Sequence, residues 1–352
     1  MTEKTTHVAG PAGSAPAAEP IPLGQAGYLV RVAARAPSVH NTQPWRFKVG
    51  EDAIELYADR GRQLGTDPVG REMLISCGAA LYGLRLAVRS LGRVPDVELF
   101  PEPGPGRPPA GLRLLARVRL GSVSPVNPAE RKMLDAIPHR HTHRGPFDCV
   151  PLPAGLLAEL QADAIAEGAT LAVVDTERAG SRLAKILAAP AGAQDLDPVA
   201  REEIVRWTRV DGSQARDGVP AHAFPARPRP KGRQQPGRLP ERDFDLGRGL
   251  GLLPLDDQAA AVTAVLVTSG DSELDWLRAG QALNRLLLHA ASQWAFARLQ
   301  TQGLQAAATR TLIRGRLALP GPPQLLLQFG VARTARAVGR RPAADLIENA
   351  DL

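Results

Sequence analysis

The sequence predicts a chain of mixed helices and strands built around buried apolar helices. Three observations carry this. Residues 73–91 are apolar nearly all round, broken by Arg85 and Arg89, as in a central buried helix. Residues 45–49 and 112–120 alternate apolar and charged side chains, the period of a strand with one wet face. Residues 77–90 are echoed at 279–292, where Gly, Ala, Leu, Leu, Leu and Ser coincide. Duplication explains the echo, and so does convergence of two buried helices on small and apolar residues; the pattern alone leaves both open.

The other elements follow in order. Residues 1–22 are rich in Ala, Pro, Gly and Thr and read as a disordered tail, without the charged-then-apolar order of a signal peptide. A helix carrying Tyr28, Leu29, Val32 and Ala33 stops before Pro37, which biases Ala36 away from helix. Strands are predicted at 53–58, 170–175, 261–268 and 324–331, and helices at 130–137, 156–165, 182–189, 200–210 and 274–299. Residues 211–245 are Pro-, Gly- and Arg-rich and read as an unstructured insert or a functional cover.

Composition narrows the function. The 352 residues are 44% hydrophobic and 22% charged, ordinary for a globular protein. A net charge of +7, mostly from Arg, favours anionic partners. Aromatics at 4% leave few stacking platforms for single-stranded nucleic acid. Cys77 and Cys149 make neither a disulfide framework nor a zinc set, and no apolar run is long enough to span a membrane. A reducing cytoplasm is the expected compartment.

Two segments concentrate chemistry. Between the helix ending near Ala33 and the strand from Trp45 stand Ser38, His40, Asn41, Thr42 and Gln43, all of which need hydrogen-bond partners. In an extended backbone Arg140, Thr142 and Arg144 share one face, two guanidiniums and a hydroxyl that suit a phosphate; a solvated basic loop is the plain alternative. His139, His141 and His143 on the other face have no carboxylate or thiolate at a convincing ligand spacing, and the interleaved arginines repel a cation, so no metal is expected. Ser38, His40 and Asn41 are too close in sequence for a hydrolytic triad. Gly247, Gly249 and Gly251 do not join a strand to a helix as a dinucleotide loop would. The tract with Arg227, Arg229, Lys231, Arg233, Arg238 and Arg242 has no aromatic of its own, and Phe224 and Phe244 only flank it; nucleic-acid binding through it would be strongly salt-dependent.

These motifs carry a resemblance. Ala36-Pro37-Ser38-x-x-Asn41-x-Gln43-Pro44-Trp45-x-Phe47 resembles the signature of the nitroreductase-like flavoproteins. With His40 before Asn41, it is most similar to their Acg-type branch. Arg140-x-Thr142-x-Arg144-x-x-Phe147 resembles the family's phosphate-binding segment. Arg340-Arg341-Pro342 resembles its C-terminal motif, and Gly280-Gln281-Ala282-Leu283 its central helix.

The resemblance implies an α+β fold with FMN held between two subunits of a homodimer. Here the two sets of motifs are split within one chain. It therefore implies the nitroreductase fold in an internally duplicated, single-chain pseudo-dimer, with two antiparallel or mixed sheets around central buried helices. The halves would be 23–127 and 128–348, with 211–245 inserted as a lid. The second half has only Ala164-Ile165-Ala166-Glu167-Gly168 where its own Asn-x-Gln-Pro-Trp should stand, so one flavin site is expected, not two.

Carried over, Arg140 and Arg340 hold the FMN phosphate and Thr142 bonds phosphate or ribityl. Arg144 lies toward the pyrimidine edge, where a cation favours the reduced flavin. Pro37, Ser38 and Asn41 come from the opposite half, His40 contacts phosphate, Gln302-Gly303 presents a backbone N–H to the flavin, and Gln43 and Trp45 brace the loop. Val338 departs from the Lys common in the family. The implied function is an FMN-dependent NAD(P)H oxidoreductase acting on a nitro or quinone acceptor, with no side-chain catalyst. The alternative is a flavin-sequestering stress protein with a closed lid. A monomeric pseudo-dimer or weak homodimer, with no membrane or nucleic-acid partner, is expected.

Overall fold

A computed structural model describes residues 20–103, 110–225, 239–253, 261–333 and 338–348. Residues 1–19 of the expected tail lie outside the described residues. Its last residues are ordered: Ile21 is buried and donates its N–H to the Glu51 carbonyl at 2.7 Å.

Helix α1 (Leu23–Ala33) leads through the polar loop into the antiparallel pair β1 (Trp45–Val49) and β2 (Ala53–Asp59). Helix α2 (Arg71–Ser90) is buried along most of its length. Strands β3 (Arg93–Leu99) and β4 (Leu112–Val123) follow and pair antiparallel. Strand β3 had no counterpart in the sequence reading. It is a sheet edge whose residues alternate between half-buried and exposed, with Pro95 inside it, so it lacks an apolar face to reveal it.

Helix α3 (Pro128–Ala136) starts on a capping box, in which the Asn127 side chain accepts from the Glu130 N–H and Glu130 accepts from the Asn127 N–H. Next come α4 (Leu156–Ala166), β5 (Ala169–Val173), α5 (Glu177–Leu196) and α6 (Pro198–Trp207). A small parallel pair, β6 (Thr208–Arg209) and β7 (Val219–Pro220), opens the insert. Residues 226–238, with most of the basic tract, lie outside the described residues. After the insert stand β8 (Val262–Thr268) and α7 (Glu273–Ser292).

The single helix expected over 274–299 is two elements. The chain turns at Trp294 (φ 56°) and runs back as β9 (Ala295–Gln300), followed by α8 (Ala307–Arg316), β10 (Pro323–Val331) and a short β11 (Ile347–Glu348). Strand β9 is buried on nearly every residue. Its composition therefore lacks the period of two that distinguishes a strand from a buried helix.

Two main sheets result, ordered β11-β1-β2-β4-β3 and β5-β8-β10-β9. Leaving β11 aside, both run first, second, fourth, third in chain order, and each has its long helix between the second and third strands. Strand β11 joins the first sheet parallel to β1, with Phe47 opposite Ile347. The central helices α2 and α7 pack against each other, and each reaches into the other's core. Leu277 belongs to the cluster built mainly on residues 21–120, and Ile75 to that built on 156–329. The fold is α+β, and its central seam is where the loop, the Arg140–Arg144 segment and the C-terminal arginines meet.

Candidate cofactor site

The loop between α1 and β1 is bent by local geometry and held by distant partners. His40, Asn41 and Gln43 have φ of 50°, 56° and 50°, the left-handed region that side chains with a Cβ adopt at a cost. The Ser38 hydroxyl accepts the Gln43 N–H at 2.9 Å, closing the bend from inside. Asn41 donates through Nδ2 to the Gly218 and Gly339 carbonyls at 3.0 and 3.2 Å. Gln43 donates to the Arg216 carbonyl and accepts the Arg341 N–H, both at 2.9 Å. Its amide thus ties the loop to the insert and to the C-terminal segment at once. Fully buried Trp45 anchors the loop's exit.

Against this loop stand guanidiniums to which the described residues supply no carboxylate partner. Arg140 is buried and donates through Nη2 to the Arg35 carbonyl at 3.0 Å, while its buried Nη1 meets no protein acceptor. Arg340 donates through Nη2 to the Ala36 carbonyl at 3.0 Å, and its Nε is buried without a partner. Burial, and then the charge of Arg35, push Arg140 down to about 10. Burial, and then Arg140, Arg35 and Arg144, hold Arg340 well below the usual arginine range. Arg140 thus adds to the cost of charging Arg340, and a dianion would relieve both.

Residues 140–144 run extended beside β9: Thr142 bridges to Ala297, and the His143 N–H donates to the Ala297 carbonyl at 3.0 Å. This turns Thr142 and Arg144 toward a small cavity of about 70 Å³ enclosed by the loop, α2, α7 and the second sheet. The loop supplies Pro37, Ser38, Val39 and His40 to its wall, α2 supplies Ile75 and Ser76, and α7 supplies Leu283. An adjoining recess is lined by Asn41, Thr142, Arg144 and Arg340.

Two features were missed from sequence. Arg242 and Phe244, read as part of a solvated tract and its flank, line the cavity. Arg242 donates to His40 Nε2 at 2.8 Å, and the Arg144 guanidinium lies over the Phe244 ring at 5.2 Å. Burial, and then Arg242, push Arg144 down to about 10. The flanking Phe244 was the available signal. The wall near the end of β9 is also different: Gln300 and Thr301 line it, while Gln302 and Gly303 do not. The Gln302 side chain donates to Asp195 Oδ1 at 2.8 Å and to the Ala191 carbonyl, so it is spent on α5. Gly303 (φ +84°) turns the chain beneath Leu187 and Pro190.

Other motifs are absorbed by the fold. The glycines at 247–251 wrap Asp245, whose carboxylate accepts the N–H groups of Gly249, Leu250 and Gly251. His139 bonds the Ala291 carbonyl at 3.0 Å and stacks on Trp294, while His141 packs on Phe296. Among the described residues no group of three His, Cys, Asp or Glu side chains could hold a metal, and no helix is long and apolar enough to cross a membrane.

No protein-family model matches the chain. It is 36% identical over 316 residues to "Putative NAD(P)H nitroreductase Rv3131" of Mycobacterium tuberculosis H37Rv, covering 86% of this chain and 84% of that protein. The chain belongs to this nitroreductase family. A second relative, "Putative NAD(P)H nitroreductase acg" of the same organism, is 28% identical over 309 residues, covering 86% and 88%. An FMN-bound nitroreductase from Bacteroides fragilis aligns with 59% of this chain and 93% of its own at 13% identity and a TM-score of 0.33. Among the described residues, the buried polar atoms of this nitroreductase-family chain without a protein partner include Asn41 Oδ1, His40 Nδ1, Arg340 Nε, Arg242 Nη2 and Gln300 Nε2 on the walls of the cavity and recess, and Arg140 Nη1 beside Arg340. A buried polar atom left unpaired costs about 1–3 kcal/mol. Six around one cleft mark a place built for a polar ligand.

Proposed function

We propose that the chain is an FMN-dependent NAD(P)H oxidoreductase with a single flavin site, formed between residues 23–127 and 128–348. The observation that carries this is the convergence of Arg140 and Arg340, bearing donors unpartnered among the described residues and facing no carboxylate there, on the carbonyls of Arg35 and Ala36 beside the Pro37–Asn41 bend. A phosphate monoester supplies the missing acceptors and charge. FMN fits the rest of the donor set.

In this reading Arg140 and Arg340 bind the phosphate, with Thr142 beside them. Asn41 Oδ1 and the Ser38 backbone orient the ribityl and ring edge from the opposite half. Arg144, held over Phe244, provides a fixed positive charge toward the ring. Leu283, Leu299 and Leu325 exclude water from the cavity floor. Bound there, FMN would supply the redox chemistry between NAD(P)H and a nitro or quinone acceptor, so no side-chain nucleophile or base would be required.

The shared strand order of the two sheets and the helix echo at 77–90 and 279–292 support internal duplication. The corresponding second position has no hydroxyl or amide bend. There Glu167 pairs with Arg85 at 2.5 Å and Arg285 at 3.1 Å, supplying an internal carboxylate where a flavin site would need free donors. One chain thus completes its own site and needs no partner subunit. Cys77 and Cys149, which form no disulfide, suit a reducing cytoplasm.

The test is the absorbance spectrum of purified protein, followed by anaerobic titration with NADPH. One FMN per chain, bleached by NADPH, is expected; protein that neither carries nor takes up FMN sinks the proposal. A second reading, a sequestering flavoprotein with little turnover, is favoured by the insert's Arg242 and Phe244 against the cavity. Flavin that binds tightly but is not reduced by NADPH until residues 211–245 are removed would support it.

A further inference from the structure

His40 is buried in the loop, and its ring meets the edge of Phe244 at 5.5 Å between centroids. Its Nε2 lies 2.8 Å from Arg242 Nη1. A guanidinium carries five N–H donors and no acceptor. Arg242 must therefore donate and Nε2 must accept. The imidazole stays neutral, since burial and then Arg242 and Arg144 hold His40 well below the usual histidine range. A neutral ring with an accepting Nε2 has its single proton on Nδ1. Nδ1 is one of the buried atoms without a protein partner, on a residue that lines the cavity.

Arg242 is itself secured from another side. Burial opposes its charge, and Glu72 at the start of α2 is the foremost carboxylate offsetting that cost. Glu72 in turn accepts from Gln305 at 2.9 Å. The insert thus brings one cation against the loop's imidazole.

We propose that Arg242 is a positioning residue: it locks His40 as the Nδ1–H tautomer and so makes the loop present a hydrogen-bond donor to the flavin held in the cavity. This rests on the flavin-binding reading above. The insert then does more than cover the site. It determines which ring nitrogen of a residue in the first half carries the proton, and so whether that residue can donate to an acceptor atom of the ligand.

The test begins without any variant. Full-length protein with ¹⁵N-labelled histidine has seven imidazoles to resolve. A long-range ¹H–¹⁵N correlation spectrum is expected to show, besides His141, whose Nδ1 donates to the His139 carbonyl, a further ring with a protonated Nδ1 and an accepting Nε2 that is lost in His40→Asn. In Arg242→Met the same ring is expected to move to the Nε2–H form or to a mixture. FMN affinity then reads the consequence. His40→Asn, which keeps an amide where Nδ1 stood, should stay near wild type, while His40→Leu and Arg242→Met should each weaken binding by about 3- to 10-fold, the worth of one neutral hydrogen bond. Adding Arg242→Met to His40→Leu should weaken it no further. A wild-type His40 carrying its proton on Nε2 overturns the lock, as does an undiminished Arg242→Met effect in the His40→Leu background. Failure of wild-type protein to bind FMN overturns the flavin reading instead, and the tautomer spectrum distinguishes the two because it needs no cofactor.

Discussion

Gly78 of α2 and Gly280 of α7 lie against each other, and a Cβ on either would overlap the facing helix. That of Gly78 would meet the Leu277 carbonyl, and that of Gly280 the Ile75 carbonyl. The obstacles are backbone atoms, which cannot rotate away. Glycine inside a helix is usually a weakness of about 1 kcal/mol relative to alanine. Here the sign reverses, because the approach of the central helices depends on it. Gly78→Ala and Gly280→Ala are each expected to destabilise by about 1–3 kcal/mol, read as a lower urea midpoint. Wild-type midpoints in both variants would show that the helices can separate freely.

Arg140 and Arg340 should respond in opposite ways with and without an anion. In protein stripped of cofactor, Arg140→Met removes a buried cation that lacks a counter-charge, so stability should hold or rise. FMN binding should fall by about 1.5–3 kcal/mol per lost charge-assisted bond, tenfold or more. Inorganic phosphate should raise the melting temperature of stripped wild-type protein and do so less in Arg140→Met. A melting temperature indifferent to phosphate would remove the anion site.

Gln43 is expected to matter for stability well beyond its size. Its amide serves the Arg216 carbonyl and the Arg341 N–H from a fully buried position. Gln43→Leu keeps the bulk and strands both partners, for a loss of about 1–3 kcal/mol in chemical denaturation. Because those partners lie in the insert and the C-terminal segment, protease susceptibility should rise in both.

Asp67 predicts a pH dependence. It accepts the Met73 N–H through Oδ2 at 2.9 Å, near the start of α2. Burial, and then the negative Glu72, push its carboxyl up to about 7 from 3.8. The folded chain therefore keeps a proton that the unfolded chain releases above about pH 4. Stability should fall as pH rises from about 4 to about 7 and level off above that. Asp67→Asn should flatten this slope in urea titrations across the window. An unchanged slope would mean that the carboxyl titrates normally.

Much of the site was legible because its residues are local and chemically unusual. The bend at Pro37, Ser38, His40 and Asn41 and the alternation of Arg140, Thr142 and Arg144 could be marked from spacing alone. The structure sets Thr142 and Arg144 in the cavity wall, with Arg140 and Arg340 on the loop's carbonyls behind it. The end of β9 was read less well. A strand buried on both faces has no period to betray it, so 295–299 passed for helix, and Gln300 and Thr301 line the cavity where Gln302 and Gly303 were expected.

Arg242 was the larger omission. An arginine in a Pro-rich tract is usually solvated, and nothing in its neighbours says that its guanidinium is enclosed beside a histidine 202 positions earlier. By itself the chain's order of residues determined the apolar helices, the wet-faced strands, the bends and the pockets of like charge, since these follow from side-chain chemistry and short-range sterics. Only the tertiary structure decided which carbonyls those charges face, which glycines touch, and which nitrogen of His40 holds its proton. Those are settled by contacts between segments far apart in sequence, where burial removes the water that would otherwise have satisfied each group alone.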